Sequence, residues 1–250
     1  QLEEKFEIVN FAAWDCMPYD RTSPKQMIVG NRVKTLYKLA NPQKNSIVLT
    51  TLNAIAQKII PPQLVKNSGL IAQAKTKISI AQITEFLIFN GYQRQASAND
   101  AGDFAVRGGI VDIVMNKAAD LVGYRIDFFG DEIESIKEFD PATQLSQESV
   151  RIIEILPASE VILNQQTSAN FREQYRKHFG QSFSVLENDQ LYAALSEGRT
   201  YSGMEHWLPF FYNEELVSVF DYLREPIVFL NNRIFQQADD RWKAVGESYK

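Results

Sequence analysis

Residues 1–75 alternate between short apolar runs and stretches with helical spacing. The runs FEIVNF, which begins at Phe6, and SIVLTT, which begins at Ser46, are typical of buried strands. Each run is followed by apolar residues at the spacing of a helix. The order strand, helix, strand, helix predicts a parallel α/β unit.

Start and stop signals place the two helices of this first piece. Ser23, Pro24 and Gln26 stand at the positions of an N-cap, a helix-starting proline and a capping-box partner. A second helix is predicted from about Leu52 to Ile60, because two consecutive prolines follow it.

Residues 76–157 follow a different pattern, with one helix and then only strands. Ser79 and Gln82 form a second predicted capping box, and Gly91 would end the helix that they begin. Four runs with strand alternation follow, separated by turn signals such as Gly130-Asp131. These runs are DFAVRG, GIVDIVM, GYRIDFFG and DEIESIKEFD. The order predicts an α+β module built on an antiparallel meander.

Residues 158–250 return to a mixed pattern. Helices are predicted from Asn170 to Phe179, from Gln190 to Ser196 and after Asn231, and the runs LVSVFDYL and PIVFL resemble strands. The pieces on either side are therefore predicted to form one α/β domain, which the module of residues 76–157 interrupts as an inserted α+β domain with an antiparallel sheet.

Composition and charge argue against some classes of protein. The chain has 45% hydrophobic and 23% charged residues, and no apolar run approaches the roughly 18–20 residues of a membrane span. Residues 1–75 carry a net charge of +5, residues 76–157 of −6 and residues 158–250 of −4. The acidic middle argues against a general nucleic-acid surface there, because such surfaces neutralise phosphates. The chain begins without Met and almost at once enters a strand-like run, so we expect a piece of a longer protein.

Sequence motifs for catalysis are absent. Neither the P-loop pattern Gly-x-x-x-x-Gly-Lys-Ser/Thr nor the dinucleotide pattern Gly-x-Gly-x-x-Gly occurs. Asp221 follows an apolar run, as the metal-holding aspartate of an ATPase does, but it lacks the accompanying P-loop. The carboxylates from Asp131 to Asp140 alternate as on a solvated strand edge. We predict no enzyme activity, catalytic residue, metal ligand or cofactor in these residues.

Cysteine and histidine usage agrees with this interpretation. Cys16 is the only cysteine, which excludes an internal disulfide and fits a reducing cytoplasm. Its position between Trp14 and Met17 favours a buried hydrophobic role over a nucleophilic one. The two histidines, His178 and His206, have no metal-ligand spacing, so we assign them structural roles.

Strand alternation singles out one arginine in the middle module. Phe104 falls on one face of its strand and Arg107 on the other, and the face of Arg107 would also present Asp127. Two interpretations remain open: Arg107 forms an ion pair within the sheet, with Asp127 or Asp112, or it anchors a partner protein. The following Gly108-Gly109 fits a bulge that makes room for a partner and equally an ordinary tight turn.

Several segments resemble a known family. The runs YQRQ, GDFAVRGGIVDIV and YRIDFFGDEIESIKEFDPATQLS are similar to the domain that UvrB shares with the transcription-repair coupling factors, known as Mfd. The runs AAWDCMPYDRTSP, LPASEVIL and GMEHWLPFFY resemble the coupling factors rather than UvrB, and the tyrosine-rich DNA-gripping hairpin of UvrB has no counterpart here. The resemblance extends from about residue 6 to residue 240 and indicates the coupling-factor family.

The resemblance implies a docking function. In the family, the inserted domain binds UvrA, the damage-recognition ATPase of nucleotide excision repair, and the corresponding residues here are Arg94, Arg107 and Asp127. Phe104, on the strand of Arg107, is included in the predicted UvrA-binding site. Ala105 stands where UvrB has a second arginine, so the affinity for UvrA is expected to differ from that of UvrB.

The resemblance also implies the setting of this function. The flanking domain would be a degenerate RecA-like (P-loop NTPase-like) fold that has lost its nucleotide motifs. In the family, a domain that binds RNA polymerase and a motor that uses ATP and Mg to move on double-stranded DNA lie C-terminal to this region. The C-terminal domain masks the UvrA site until the motor engages. The alternative is a fragment of a UvrB-type damage-verification subunit that contacts DNA.

Overall fold

A computed structural model describes residues 5–117, 120–180, 189–212 and 216–248. Its strands are β1 (Phe6–Phe11), β2 (Asn45–Thr50), β3 (Leu70–Gln73), β4 (Gln93–Arg94), β5 (Asp103–Arg107), β6 (Ile110–Lys117), β7 (Asp120–Phe129), β8 (Glu132–Phe139), β9 (Ser146–Val150) and β10 (Ile152–Ile155). Its α-helices are α1 (Gln26–Ala40), α2 (Leu52–Ile55), α3 (Pro62–Lys66), α4 (Ile80–Phe89), α5 (Gln165–Phe179), α6 (Gln190–Ser196), α7 (Leu208–Phe211) and α8 (Ile234–Ser248). The fold is mixed α/β, with antiparallel pairing dominant in the sheets.

The chain forms two compact units. The first comprises Gln1–Asn67 with Asn164–Lys250, and the second comprises Ser68–Leu163. Strand β3 and residues 158–163, which the sequence division assigns to the flanking pieces, belong to the second unit.

The parallel pair predicted near the start of the chain is confirmed in the first unit. Strands β1 and β2 pair in parallel, from Phe6 opposite Asn45 to Phe11 opposite Thr50, and α1 connects them. Helix α1 contacts β1 and buries Val29, Val33 and Leu36. Apolar spacing along α1 therefore places the helix on one face of the strand pair.

The capping box predicted at Ser23 is wrong. The N-cap of α1 is Lys25, which makes no side-chain capping bond, and the helix starts at Gln26. The hydroxyl of Ser23 instead donates a hydrogen bond to Glu205, at 2.6 Å, and accepts one from the N–H of Gly203, at 2.9 Å. The hydroxyl is thus occupied by groups that are distant in sequence, which the local pattern could not reveal.

The helix predicted from Leu52 to Ile60 is also wrong in its length. Helix α2 ends at Ile55 after a single turn, which Thr51 caps. Ile59 pairs with Val217 through two backbone hydrogen bonds of 2.9 Å, one in each direction. This bridge holds the chain in an extended conformation, so the helix cannot continue, and the following prolines begin α3.

Neither of the two strand-like runs near the end of the chain is a strand. Val219–Tyr222 form a 3-10 turn, because Ser218 and Asp221 make a capping box. Asp221 therefore serves as a cap, and its carboxylate accepts the Ser218 N–H at 2.8 Å. Residues 226–230 have no regular structure, and Phe229 is 91% exposed.

The three helices predicted in residues 158–250 are present in the structure. Helix α6 spans the residues expected, and α8 follows Asn231 as predicted. Helix α5 ends at Phe179 as predicted but begins at Gln165, because Asn164 caps it through a capping box with Thr167.

The second unit contains a six-stranded sheet in the order β4-β5-β6-β7-β8-β9. The four predicted strands form β5 to β8, and their antiparallel meander is confirmed. Helix α4 begins at the predicted capping box, with Ser79 Oγ accepting the Gln82 N–H at 3.2 Å and Gln82 Oε1 accepting the Ser79 N–H at 2.9 Å. The short edge strands β4 and β9 have no clear sequence signal.

The two faces of this sheet differ in character. One face packs on α4 around a core that includes Ile83, Leu87, Phe104, Val111, Ile113, Ile126 and Ile136. The other face carries a smaller buried apolar cluster of Ala98, Ala105, Val114 and Phe139. Strand alternation therefore leaves most of the second face to polar side chains.

Two tight turns lie side by side at one end of the sheet. Gly108-Gly109 joins β5 to β6 and Gly130-Asp131 joins β7 to β8, and the N–H of Phe128 donates to the carbonyl of Gly109 at 2.8 Å. The φ angle is 59° at Gly108 and 61° at Gly130, a region that favours glycine. The glycines after Arg107 thus make an ordinary two-residue hairpin turn.

Substitution of Gly123 tests how tightly the second face is packed. An added Cβ would lie 2.3 Å from an edge carbon of the Phe139 ring, so Gly123→Ala forces this buried ring to move. We expect a loss of about 1–3 kcal/mol in the free energy of unfolding, measured by urea denaturation.

Gly246→Ala is the matched control. Gly246 lies in α8, and a Cβ there would meet no atom within 4 Å. We expect no loss of stability for it, because alanine is the better helix former. Equal stability of the two variants would show that Phe139 accommodates the methyl group freely.

Candidate docking face

The cross-strand register of β5 to β8 assembles one polar surface. One row of directly paired residues runs Ala105, Asp112, Arg125 and Lys137, and the next runs Arg107, Ile110, Asp127 and Ser135. Directly paired residues project to the same face of a sheet. We call the surface formed by Arg107, Asp112, Arg125, Asp127, Ser135 and Lys137 the polar face; it lies opposite α4.

Asp112 is the buried centre of the polar face. Its side chain is 1% exposed, and its carboxylate accepts hydrogen bonds from two arginines. Arg125 donates from Nε to Oδ1 at 2.8 Å and from Nη2 to Oδ2 at 3.0 Å. Arg107 donates from Nη2 to Oδ2 at 2.5 Å. A carboxylate removed from water in this way requires such partners, because an unpaired buried charge is strongly unfavourable.

Arg125 is held from several sides. Its guanidinium carbon lies 5.0 Å from the centre of the Phe139 ring, and Nη1 donates to the hydroxyl of Ser146 at 3.1 Å. Hydrogen bonding to Asp112 raises the pKa of Arg125 above its ordinary value, so the guanidinium stays charged. The absence of a side chain at Gly123 leaves the space that the Phe139 ring fills. Arg125 is therefore a fixed counter-ion for Asp112.

Arg107 combines an internal partner with an exposed surface. Its ion pair is with Asp112, so one of the two sequence interpretations of this arginine is confirmed. Its side chain nevertheless remains 52% exposed. Since a guanidinium has five N–H bonds, pairing with Asp112 leaves donors for a second acceptor. The ion pair is thus compatible with a docking role.

Asp127 lies on the same face but belongs to a different local network. Its Oδ2 accepts a hydrogen bond from the Ser135 hydroxyl at 2.8 Å, and the Lys137 ammonium lies 3.7 Å from the same oxygen. The side chain is 23% exposed. Asp127 therefore presents a partly neutralised carboxylate in the same cross-strand row as Arg107, with Ile110 between them.

Arg94 and Phe104 are placed elsewhere. The two residues pair directly in the parallel β4–β5 ladder, so they share the face that packs on α4. Phe104 is fully buried in that core, where its side chain cannot touch a partner. Arg94 is exposed and lines a shallow groove with Ile80, Ile88 and Val106. The structure therefore puts Arg107 and Asp127 on one face, two strands apart, and places Arg94 on the opposite face at the sheet edge.

The site predicted from the sequence leaves out three residues of this region. Asp112 was considered only as a possible partner of Arg107, although a carboxylate inside the apolar run GIVDIV already indicates a buried ion pair. Arg125, at the directly opposite position, is its second partner. Phe129 is 82% exposed beside the turn that follows β7, and strand alternation gives no measure of such exposure.

The cysteine and both histidines lie in the first unit. Cys16 Sγ lies 3.8 Å from His206 Nε2, an arrangement that resembles a nucleophile and its base. Burial is the main cause that raises the pKa of the Cys16 thiol to about 11, so the thiol is protonated at neutral pH. His178 bonds the carbonyl of Gln174 at 2.8 Å. Among the described residues, no group of three or more Cys, His, Asp or Glu side chains could hold a metal ion.

Known proteins resemble this chain over nearly its whole length. Residues 70–161 match a family described as the UvrB interaction domain. The transcription-repair-coupling factor of Rickettsia bellii is 38% identical over 243 residues, which are 97% of this chain and 21% of that protein. The coupling factor of Haemophilus influenzae is 32% identical over 245 residues, 95% of this chain and 21% of that protein. That of Escherichia coli is 29% identical over 238 residues, 95% of this chain and 20% of that protein.

The chain is homologous to the transcription-repair-coupling factors. It spans about a fifth of the length of these coupling factors. The segment that matches the UvrB interaction domain, residues 70–161, nearly coincides with the second compact unit, Ser68–Leu163. The polar face and the groove of Arg94 therefore both belong to the matched domain. No helix among the residues that the structure describes is long and apolar enough to cross a membrane.

Removal of Arg125 tests the buried ion pair in this coupling-factor domain. Arg125→Met leaves Asp112 with only the half-exposed Arg107 as a counter-ion. We expect the free energy of unfolding to fall by about 2 kcal/mol, because the hydrogen bonds lost are to a buried charge.

Lys117→Met is the matched control, since Lys117 pairs with Glu138 in the same sheet but is 58% exposed. Urea denaturation of both variants would measure the difference, and we expect Lys117→Met to resemble the wild type. Equal losses in the two variants would contradict a special role for burial at Asp112.

Proposed function

We propose that the second unit is a docking domain for UvrA and that the polar face is the surface it presents. One observation carries the proposal: Arg107, in the run FAVRG, is held by Asp112 yet half-exposed on the polar face. An arginine of this kind can donate to a carboxylate of a partner while its own position is held. Asp127, on the same face, would accept from a donor of the partner.

Arg94 would contribute from the other side of the sheet. Strand β4 is the edge strand, next to β5, so a partner that touches both Arg94 and Arg107 has to extend around this edge. The exposed end of the sheet at Phe129 would lie within such a contact. Phe104 supports the surface from within the core and does not touch UvrA in this proposal.

The first unit would be the degenerate RecA-like domain. Its parallel β1–β2 pair with connecting helix α1 supports this assignment, and the chain lacks the Gly-x-x-x-x-Gly-Lys-Ser/Thr motif that binds nucleotide phosphates. This region would then bind protein without catalysis and without a cofactor of its own. ATP and Mg would serve a motor elsewhere in the whole protein.

The whole protein would couple transcription to nucleotide excision repair in the cytoplasm. It would bind RNA polymerase, move along double-stranded DNA and deliver UvrA to the lesion, and its C-terminal domain would mask the docking domain until then. The names of the relatives, each a transcription-repair-coupling factor, support this setting. The net charge of −6 over residues 76–157 argues against the alternative of a UvrB-type, DNA-contacting fragment.

Binding to purified UvrA tests the proposal. We expect Arg107→Glu to weaken binding of this chain by at least about 30-fold, since loss of a central arginine commonly removes ~2 kcal/mol of binding energy. Isothermal titration calorimetry would measure the affinity, and circular dichroism would verify that the variant is folded. Lys117→Glu is the matched control: Lys117 is an exposed cation of the same sheet that is paired with Glu138, and we expect its affinity to stay within about twofold of the wild type.

Two results would contradict the proposal. A folded Arg107→Glu variant with wild-type affinity would place the interface elsewhere. Salt-dependent binding of the wild-type chain to DNA without any binding to UvrA would support the UvrB-type alternative.

Arg94→Glu separates a wrapped interface from a one-sided one. Because Arg94 and Arg107 lie on opposite faces, we expect both charge reversals to weaken UvrA binding if the partner extends around strand β4. Surface plasmon resonance would compare the two dissociation constants. If Arg94→Glu retains wild-type affinity while Arg107→Glu does not, the contact is confined to the polar face.

A further inference from the structure

The two arginines that bond Asp112 donate different numbers of hydrogen bonds to it. Arg125 gives it two hydrogen bonds, one to each carboxylate oxygen, and is itself only 19% exposed. Arg107 gives it one, from Nη2 to Oδ2, and is 52% exposed. The carboxylate thus has its principal counter-ion in Arg125 and still fixes the end of Arg107.

The charges of the three side chains explain why this arrangement suits a docking site. Two guanidinium groups and one carboxylate sum to a net charge of +1. Arg125 balances the buried negative charge, so the exposed end of the group, at Arg107, keeps a positive charge. Among the described residues Asp112 takes one of the five N–H bonds of Arg107, which leaves four for the acceptors of a partner. A carboxylate of a partner fits this end in both charge and geometry.

We propose that Asp112 is a positioning residue for Arg107 in the recognition of a carboxylate on UvrA. This inference rests on the proposed UvrA docking and adds a role that acts through Arg107 alone. A half-exposed arginine that is free to change rotamer loses that freedom on binding, whereas one already held loses less. Asp112 lowers this loss, and Arg125 prevents the carboxylate of Asp112 from repelling that of the partner.

A double-mutant cycle separates positioning from a general effect on the fold. Asp112→Asn removes the charge at constant shape, and we expect about tenfold weaker binding to UvrA. Arg107→Ala should weaken binding by about 30-fold. The double variant should bind no more weakly than Arg107→Ala, because Asp112 has nothing left to position.

Glu138→Gln is the matched control for the loss of a carboxylate. Glu138 pairs with Lys117 in the same sheet, at 2.7 Å, and is not part of the polar face. We expect it to bind UvrA as the wild type does. All variants are compared by calorimetry at the same salt concentration, after circular dichroism has verified their folding.

A second measurement needs no variant and covers the case in which Asp112→Asn fails to fold. In the free wild-type chain, ¹⁵N relaxation of the Arg107 Nε–H group reports whether the side chain is held. We expect an order parameter close to the ~0.85 of rigid backbone. A value below about 0.6 would mean a flexible side chain and would overturn the proposal.

The outcomes distinguish the positioning role from the docking function. Wild-type affinity in a folded Asp112→Asn variant overturns positioning and leaves UvrA docking intact. The same holds if the double variant binds about tenfold more weakly than Arg107→Ala, since the effect of Asp112 would then be independent of Arg107. If the wild-type chain does not bind UvrA, both the docking function and the positioning role are overturned.

Discussion

The buried carboxylate of Asp112 is the constraint around which the second face of the large sheet is organised. A carboxylate at 1% exposure is stable only where cations and donors meet it, and the register of β5, β6 and β7 brings Arg107 and Arg125 to it. The same register places Phe139 beneath Arg125 and leaves room for its ring at Gly123. One buried charge thus determines which side chains the surrounding positions can accept.

The two faces of the large sheet contribute differently to stability and to the exposed surface. The face that packs on α4 is apolar and supplies the hydrophobic burial that holds the domain together. The polar face does not have to supply this burial, so it can expose charged groups. Arg107 takes part in both, because its Nη2 donates to the buried carboxylate while half of its side chain faces solvent. The second unit therefore exposes an arginine whose position is held by a buried partner.

The two faces also bear on how a partner can approach. Arg94 and Arg107 are close in the chain and were grouped together by resemblance, yet the β4–β5 pairing puts them on opposite sides of the sheet. Only an edge strand allows one partner to reach both sides, and β4 is such a strand. The location of Arg94 on an edge strand therefore bears on how one partner could contact both faces of the sheet.

Local patterns in the sequence predicted the strands β5 to β8, the capping box of α4 and the strand–helix–strand order of β1, α1 and β2, because alternation, caps and helical spacing each depend on neighbours a few residues apart. Alternation alone placed Arg107 and Asp127 on one face. Tertiary contacts decided the rest. Ser23 bonds Glu205 and Gly203 and does not cap a helix. Ile59 pairs with Val217 and does not extend a helix. Arg107 forms its ion pair with Asp112 and not with Asp127. Glu205, Gly203 and Val217 are distant in sequence from the residues that they contact, and the burial of Asp112 depends on the packed sheet. Sequence periodicity reports neither long-range contacts nor burial of this kind.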